Sequence, residues 1–519
     1  MHCPHCESKN MARWGKHHDG RQRWKCRGCG RRSMSVPAAD QATGSQLKEP
    51  ASALRRAKRY IVTSAQNDTQ IHGRFWRTLQ QIAEHRGARL LVIPVRYKNP
   101  DRFHQGADAD MSWPPEVLPH LLDRDLVLNR SLAVMGDAKI NATAANPLAG
   151  METLSGTRSA IFGHGQVQMR MVPTPHRHSP KMVHTTGSVS KPNYSRSKAG
   201  KRGRFNHSLG AVYLETQGDA FWCRELIAGD DGIVHDLDHV YDGQRILTGQ
   251  RVEGLVIGDE HVKFMDPAVR TATFDDLVPR LRPRHIVRHD LHDHYSQSHH
   301  HEGDTILKVH KAHNRDWSVA DELQLTVDHL INTDAPGRIN WVVDANHNRH
   351  LRQWLNRYSA NADPHNALIA WELQGLVAAA ITEGRDPDPF RLYLEKHLPA
   401  DVLSRVRFVN PNDELLIAGI DCSQHGDRGP NGARPTLRGF ARASHKMFTA
   451  HSHTPGIEQG AWAVGVSAPE MAYAQGLSSW MTTHGVIFPN GKRQLVHIVN
   501  GQYERADAMR EHKQEDGAA

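Results

Sequence analysis

The sequence predicts an α/β protein, on three observations. Short apolar runs end abruptly in carboxylates, amides or imidazoles: Leu255-Val256-Ile257 leads into Gly258-Asp259-Glu260-His261. His285-Ile286-Val287 leads into Arg288-His289-Asp290, and Asn340-Trp341-Val342-Val343 into Asp344-Ala345-Asn346-His347. Stretches with helical spacing separate such runs, as in Val319 to Ile331 and Ala367 to Ile381. Arg59 to Thr63, Phe75 to Arg86 and Ala88 to Pro94 read as strand, helix, strand, the order of a parallel βαβ unit.

The chain has 519 residues, which exceeds one compact core and predicts two or three domains. Residues 1–36 read as a zinc ribbon. Cys3-Pro4-His5-Cys6 and Cys26-Arg27-Gly28-Cys29 are two ligand pairs separated by residues 7–25. Each pair suits a tight knuckle around a tetrahedral ion, so Cys3, Cys6, Cys26 and Cys29 are the candidate ligands of one structural zinc. Cys223 and Cys422 are isolated, so the six cysteines do not form a disulfide framework. Arg13, Trp14, Lys16, Arg21, Arg23, Trp24 and Lys25 lie between the pairs. They suit either a nucleic-acid surface or a solubilising face over two core tryptophans. This segment resembles the zinc ribbons at the N-termini of some transposases.

Residues 37–54 lack periodicity and read as a linker. Residues 55–250 read as an α/β accessory domain and a candidate for DNA binding; a nucleotide fold is not supported, since no glycine-rich phosphate loop follows its first strand. Within it, Lys191, Arg196, Lys198, Lys201, Arg202 and Arg204 lie among serines and glycines. They are candidate DNA contacts on a loop; a charged surface loop is the plain alternative.

Residues 251–502 collect the chemistry. After the runs above, Glu414 to Ile420 reads as a strand approaching His425-Gly426-Asp427, and Lys446 to Ala450 leads into His451-Ser452-His453. Val486-Ile487-Phe488 and Leu495 to Val499, joined by Pro489-Asn490-Gly491-Lys492, predict a closing hairpin. Residues 503–519 read as a polar tail.

In order, the strand ends carry Asp-x-His, Asp, Asn-His, His and His-x-His. Five blocks in this order resemble the calcineurin-like metallophosphoesterase superfamily, from Val252 to Ile498. The resemblance implies a two-sheet αββα sandwich with metals at the carboxyl ends of its strands. It assigns Asp259, His261 and His453 to one ion, Asn346, His425 and His451 to another, and Asp290 to a bridge between them. It makes His347 the catalytic group, contacting the phosphate or protonating the leaving oxygen. Two divalent cations are implied, manganese foremost, with magnesium, zinc or iron as alternatives. Three positions depart from the usual pattern: His289, Ala345 and Ala450 stand where glycine is usual. Arg428, after His425-Gly426-Asp427, is a candidate phosphate clamp or a surface ion pair. His292, His294, His299, His300 and His301 read mainly as hydrogen-bonding surface groups, with at most one near the metals.

Val256 to His261, Tyr295 to His301, His425 to Ala433 and Thr185 to Val189 resemble the SbcD-like nuclease branch, and within it phage pre-early proteins of host-DNA degradation. That resemblance implies metal-dependent cleavage of DNA. A phosphatase or phosphodiesterase for small nucleotides or phosphoproteins needs the same metal site without the ribbon and basic loop. A DNA-binding protein with a decayed site is a third reading, disfavoured because all seven ligands are present. The formal charge of +9 and pI of about 9.2 favour an anionic partner such as DNA. No run approaches the roughly 18 apolar residues of a membrane helix, and no signal-peptide core begins the chain. The expected setting is the cytoplasm, the host's if the chain is phage-encoded, with homo-oligomerisation left open.

Overall fold

A computed structural model of the chain describes residues 8–16, 22–30, 32–34, 45–100, 111–175, 180–443, 445–469, 471 and 476–509. Cys3 and Cys6 lie outside them, so the four-cysteine set is seen only in half. Met11–Lys16, Gln22–Cys26 and Arg32–Met34 form an antiparallel three-stranded sheet. At its turn, Cys26 Sγ accepts from the amides of Gly28 and Cys29 at 3.3 and 3.5 Å.

The mixed α/β class holds. A six-stranded sheet runs Val406–Val409, Ile339–Val343, His285–Arg288, Gly254–Val256, Thr483–Ile487, Arg493–His497 in spatial order. The first four strands are parallel and the last two antiparallel. Buried parallel strands are apolar on both sides, which explains the unbroken runs seen in the sequence. Leu255, Ile257, Ile286, Val486 and Val496 face Val269, Leu277, Val278 and Leu281 of a helical layer. Val342 faces Leu323, Val327 and Leu330 of helix Val319–Thr333. Ser318 caps that helix by accepting from the Asp321 amide, with Asp321 and Glu322 in its first turn, where the dipole favours acids.

Val256, Val287, Val343 and Val409 point to the opposite face. There they share one core with Phe448, Ile457, Trp462, Ile161 and Met169 of a ten-stranded sheet. That sheet contains Gln168–Val172 paired antiparallel with Gly456–Glu458. Strands from residues 125–185 and 416–463 are thus hydrogen-bonded into one sheet. The boundary expected at residue 250 therefore does not separate the sheets. Sequence order hid this, because the pairing joins segments almost three hundred positions apart.

The βαβ unit is present: Arg59–Gln66 and Arg89–Val95 pair in parallel, with helix Gly73–His85 between them. Three local expectations are corrected. Glu414 to Ile420 is not one strand but two short ones, Leu416–Ile417 and Ile420–Asp421, reversed at Ala418 and Gly419, where φ is 48° and 76°. The second half of the basic loop is helix Lys198–Asn206, capped by Ser197 accepting from the Gly200 amide at 3.1 Å. The tail does not begin at residue 503, because Tyr503 and Glu504 are buried.

Glu504 belongs to an enclosed charge network. Arg224 is fully buried and lies 2.9 Å from Asp236 and 2.9 Å from Glu504. Arg280 reaches Asp238 at 2.7 Å and also meets Glu504. The network fastens strand Ala220–Ile227, the helix Val278–Leu281 and the C-terminal segment to one another. Burial raises the Glu504 carboxyl, but Arg280 and Arg224 outweigh it and hold the group below its ordinary range. Arg224→Ala strands carboxylates in the interior and is expected to cost about 3–5 kcal/mol in urea denaturation. A carboxyl lowered in the folded state stabilises above its unfolded pKa and loses that contribution as pH falls. The wild-type melting temperature should therefore drop as pH falls below about 4.5, and less so in Arg224→Ala.

Candidate metal centre

The five strand ends converge. Backbone pairing continues past the strands: the Glu260 amide donates to His289 O at 3.0 Å and the His261 amide to Asp290 O at 2.8 Å. This brings the loops after Gly254–Val256 and His285–Arg288 side by side. Gly258 makes the approach sterically feasible, since a Cβ there would lie 2.8 Å from the Gly465 and Thr483 carbonyl oxygens. The Asp259 amide then donates to Gly465 O at 3.0 Å, fixing the carboxylate beneath the loop that carries His453.

Asp259, His261 and His453 each place a ligand atom within 4.8 Å of the other two. His453 Nε2 is 3.2 Å from Asp259 Oδ2 and 3.1 Å from His261 Nε2. Asp290, His425 and His451 form a second such group. His425 Nε2 is 3.0 Å from Asp290 Oδ2 and 3.0 Å from Asn346 Oδ1. Asp290 also lies 4.0 Å from His261 Nε2, and His425 Nδ1 lies 3.8 Å from Asp259 Oδ1, so the two groups adjoin. The His261 and His347 rings meet edge to face with centroids 4.8 Å apart. All seven residues expected as ligands, and His347, therefore line one place.

Its electrostatics are those of enclosed charge. Asp259 and Asp290 are buried, and neither oxygen of either carboxylate makes a well-formed hydrogen bond; imidazole nitrogens are their neighbours. Burial raises the Asp290 carboxyl, yet His425 and His347 hold it well below the ordinary carboxylate range. Burial likewise opposes charge on His425, yet Asp290 and Asp259 push it up to about 9. Such carboxylates and imidazoles fit a divalent cation, which takes the place of protons in that role.

The backbone is unusual at these positions. His261, Asp290, His451 and His453 all adopt positive φ, at 37°, 42°, 67° and 55°. This region costs free energy for residues other than glycine, and such residues cluster at functional sites. The three departures from glycine are tolerated for the converse reason. Ala345 has φ −133°, and His289 and Ala450 are not among the positive-φ residues. His289 is buried, stacks at 5.6 Å on His425, and is pushed down to about 4 by burial and then by His425.

Sequence reasoning missed Asp293. Its carboxylate lies 2.8 Å from His261 Nδ1, and its carbonyl oxygen 2.7 Å from His347 Nδ1. The carbonyl contact can only accept, so it puts the His347 proton on Nδ1, while the Asp293 carboxylate places negative charge beside His261 Nδ1. The signal was in Asp290-Leu291-His292-Asp293-His294, where a second carboxylate follows Asp290 among histidines. His292 and His294, expected at the surface, are buried: His292 stacks on Phe390 and His294 packs by Trp354.

The basic candidates are dispersed. Lys191 Nζ donates to Gln70 at 3.2 Å, and Arg202 to the Thr143 carbonyl at 3.1 Å. Lys198, Lys201 and Arg204 lie on helix Lys198–Asn206, with Arg196 just before it. Arg428 is exposed, lies 3.7 Å from Asp427, and lines a different cavity with Asp344 and Arg352. By contrast, a cavity of about 610 Å³ opens beside His451, lined by Arg170, Arg434 and Arg438, none of them anticipated.

Against known proteins, the chain is 30% identical over 468 residues to Protein A1 of Escherichia phage T5, spanning 87% of this chain and 83% of that one. The chain belongs to the family of Protein A1. No family model and no solved structure matches it.

Asp293→Asn keeps the volume and removes the negative charge 2.8 Å from His261 Nδ1. The variant is expected to bind manganese about 10- to 100-fold more weakly, read by isothermal titration calorimetry on the chelator-treated protein.

Proposed function

We propose that this protein is a phosphodiesterase of the calcineurin-like metallophosphoesterase type that cleaves DNA with two divalent metal ions, manganese foremost. The observation that carries the reading is the pair of buried carboxylates, Asp259 and Asp290, ringed by imidazoles and lacking conventional hydrogen bonds. Such a set is costly without cations and suited to holding them. Asp259, His261 and His453 would hold one ion, and Asn346, His425 and His451 the other, with Asp290 shared. When bound, the ions lower the pKa of water and neutralise charge on the phosphate oxygens.

The chain's own residues supply the rest. His347 keeps its Nδ1 proton on the Asp293 carbonyl, so Nε2 is free to carry a proton to the leaving oxygen. His347 is half-buried, whereas Asp290 is enclosed, so of the two His347 is the more open to substrate. Arg170, Arg434 and Arg438 outnumber Asp427 and Glu458 in the lining of the adjoining cavity, and this excess of positive charge favours a polyanion over a small monoester. The cysteine ribbon, as a structural zinc module with Trp14 and Trp24 among basic residues, is a second candidate contact to DNA, as are the basic residues from Lys191 to Arg204. Kinship with a phage protein favours action on host DNA in the host cytoplasm. Among the described residues no helix is long and apolar enough to cross a membrane.

Plasmid DNA and nitrophenyl phosphate monoester, each incubated with the purified protein and manganese, test the reading. DNA should be cut and the monoester spared; monoester turnover with intact DNA overturns it. Asp290→Asn should slow cleavage on the order of 10³-fold or more, and His347→Ala about 10²- to 10⁴-fold, with DNA binding retained in gel shifts. Normal cutting by both variants would remove the catalytic assignment.

Arg434→Ala with Arg438→Ala addresses the substrate class separately. The double variant should raise KM for DNA and flatten the dependence of log affinity on log salt by about 0.7–0.9 per lost phosphate contact.

A further inference from the structure

A second set of imidazoles converges outside the Asp259–Asp290 cluster. His299 and His300 sit on the short turn His299–His301, and His350 on helix Asn346–Arg357. One ring nitrogen from each lies within 4.8 Å of the other two. Ring centroids are 3.9 Å apart for His299 and His300, 4.7 Å for His299 and His350, and 5.7 Å for His300 and His350. The rings do not stack face to face; His350 meets both others nearly edge-on, at 74° and 79°. Nδ1 of His299 and Nδ1 of His350 are buried and make no hydrogen bond.

Three imidazoles brought this close cannot all be protonated without mutual repulsion. Burial, and then His347 and His299, push His350 down to about 3, so it is neutral at physiological pH with lone pairs to offer. Burial and then His300 lower His299 as well. Glu302 and Arg357 stand nearby as a 3.5 Å ion pair, so neither adds an uncompensated charge. An unpaired polar atom in a protein interior is costly unless something satisfies it.

We propose that His299, His300 and His350 form a separate binding site for a zinc-class divalent cation, beside the Asp259–Asp290 cluster and not part of it. The donor set decides the metal class. Imidazole without carboxylate suits zinc, copper or nickel, whereas the mixed carboxylate, amide and imidazole set at Asp259 and Asp290 also accommodates manganese or magnesium. Three histidines and a water make a four-coordinate zinc environment. The position gives the site a consequence. His350 lies one turn after His347 on the same helix, with ring centroids 4.8 Å apart. An ion gripping His350 therefore fastens the helix that carries Asn346 and His347 to the turn His299–His301.

The test uses the full chain, stripped with chelator, reloaded with manganese, crystallised and soaked in zinc. Diffraction at the zinc edge should show an anomalous peak about 2.0–2.1 Å from one nitrogen of each of the three histidines, apart from any peak at the cysteines or at Asp259 and Asp290. His300 is exposed, so His300→Ala reads binding and not folding. That variant should lose the peak and take up about one zinc equivalent less in solution, while the exposed His310→Ala keeps both. A missing peak in wild type with the other sites loaded overturns the proposal. So does a peak or a zinc stoichiometry that survives both His300→Ala and His299→Ala. Failure of DNA cleavage by the wild type would count against the nuclease reading and leave this site untouched.

Discussion

Asp259 and Asp290 are enclosed side by side, at the ends of two adjacent parallel strands. Removing a carboxylate from water costs several kcal/mol even after relaxation, and two together add repulsion. The surroundings answer that cost locally. His425 stands between both carboxylates, His453 reaches Asp259, and His261 touches the edge of Asp290. The loops bearing these imidazoles turn through positive φ at His261, Asp290, His451 and His453. A backbone chosen for stability alone would put glycine or asparagine there. Side chains that only these residue types supply are instead held in a strained arrangement, and the rigid sheet beneath supports the strain.

That rigidity comes from burial on both faces of the six-stranded sheet. Neighbouring residues along one strand, such as Leu255 and Val256, belong to different cores, one under helices and one under the second sheet. Behind the site, Glu260 is fully buried with Arg288 at 2.9 Å and His329 at 2.7 Å. Arg288 also donates to Asn340 at 3.0 Å and Thr333 at 2.8 Å. Thus the residue between Asp259 and His261 is anchored in the opposite direction from its neighbours. Glu260 is a poor candidate for substrate contact for the same reason.

The legible part of the molecule was what short-range pattern encodes. Apolar runs ending in Asp259, Asp290 and Asn346 marked strand ends, and the helices between them followed from the spacing of their apolar residues. The ligand blocks could be ordered because each is local, within three residues. Asp293 was harder to see, since its contacts with His261 and His347 are made only when the loops meet. His350 was invisible for a similar reason: it faces His299 and His300 across a distance in sequence that no periodicity spans. The basic cluster from Lys191 to Arg204 misled in the other direction. Charge density along a sequence says little about convergence in space, and Lys191 and Arg202 bond to their own neighbourhoods.

The pairing of Gln168–Val172 with Gly456–Glu458 changes what the two halves of the chain mean to one another. An accessory domain joined by a linker would present its own surface to substrate and move independently. Here the ten-stranded sheet passes from one half into the other with backbone hydrogen bonds across the join. Gln168 also donates to Glu458 at 2.6 Å within the interior. The cavity beside His451 has Arg170 on one wall and Arg434 with Arg438 on another, so its charge is assembled from both halves. A separated C-terminal half would expose the edge of Gly456–Glu458 and lose that wall. The residues before 250 are therefore not an appendage to the candidate centre; they complete the sheet on which His451 and His453 are mounted and the groove that leads to them.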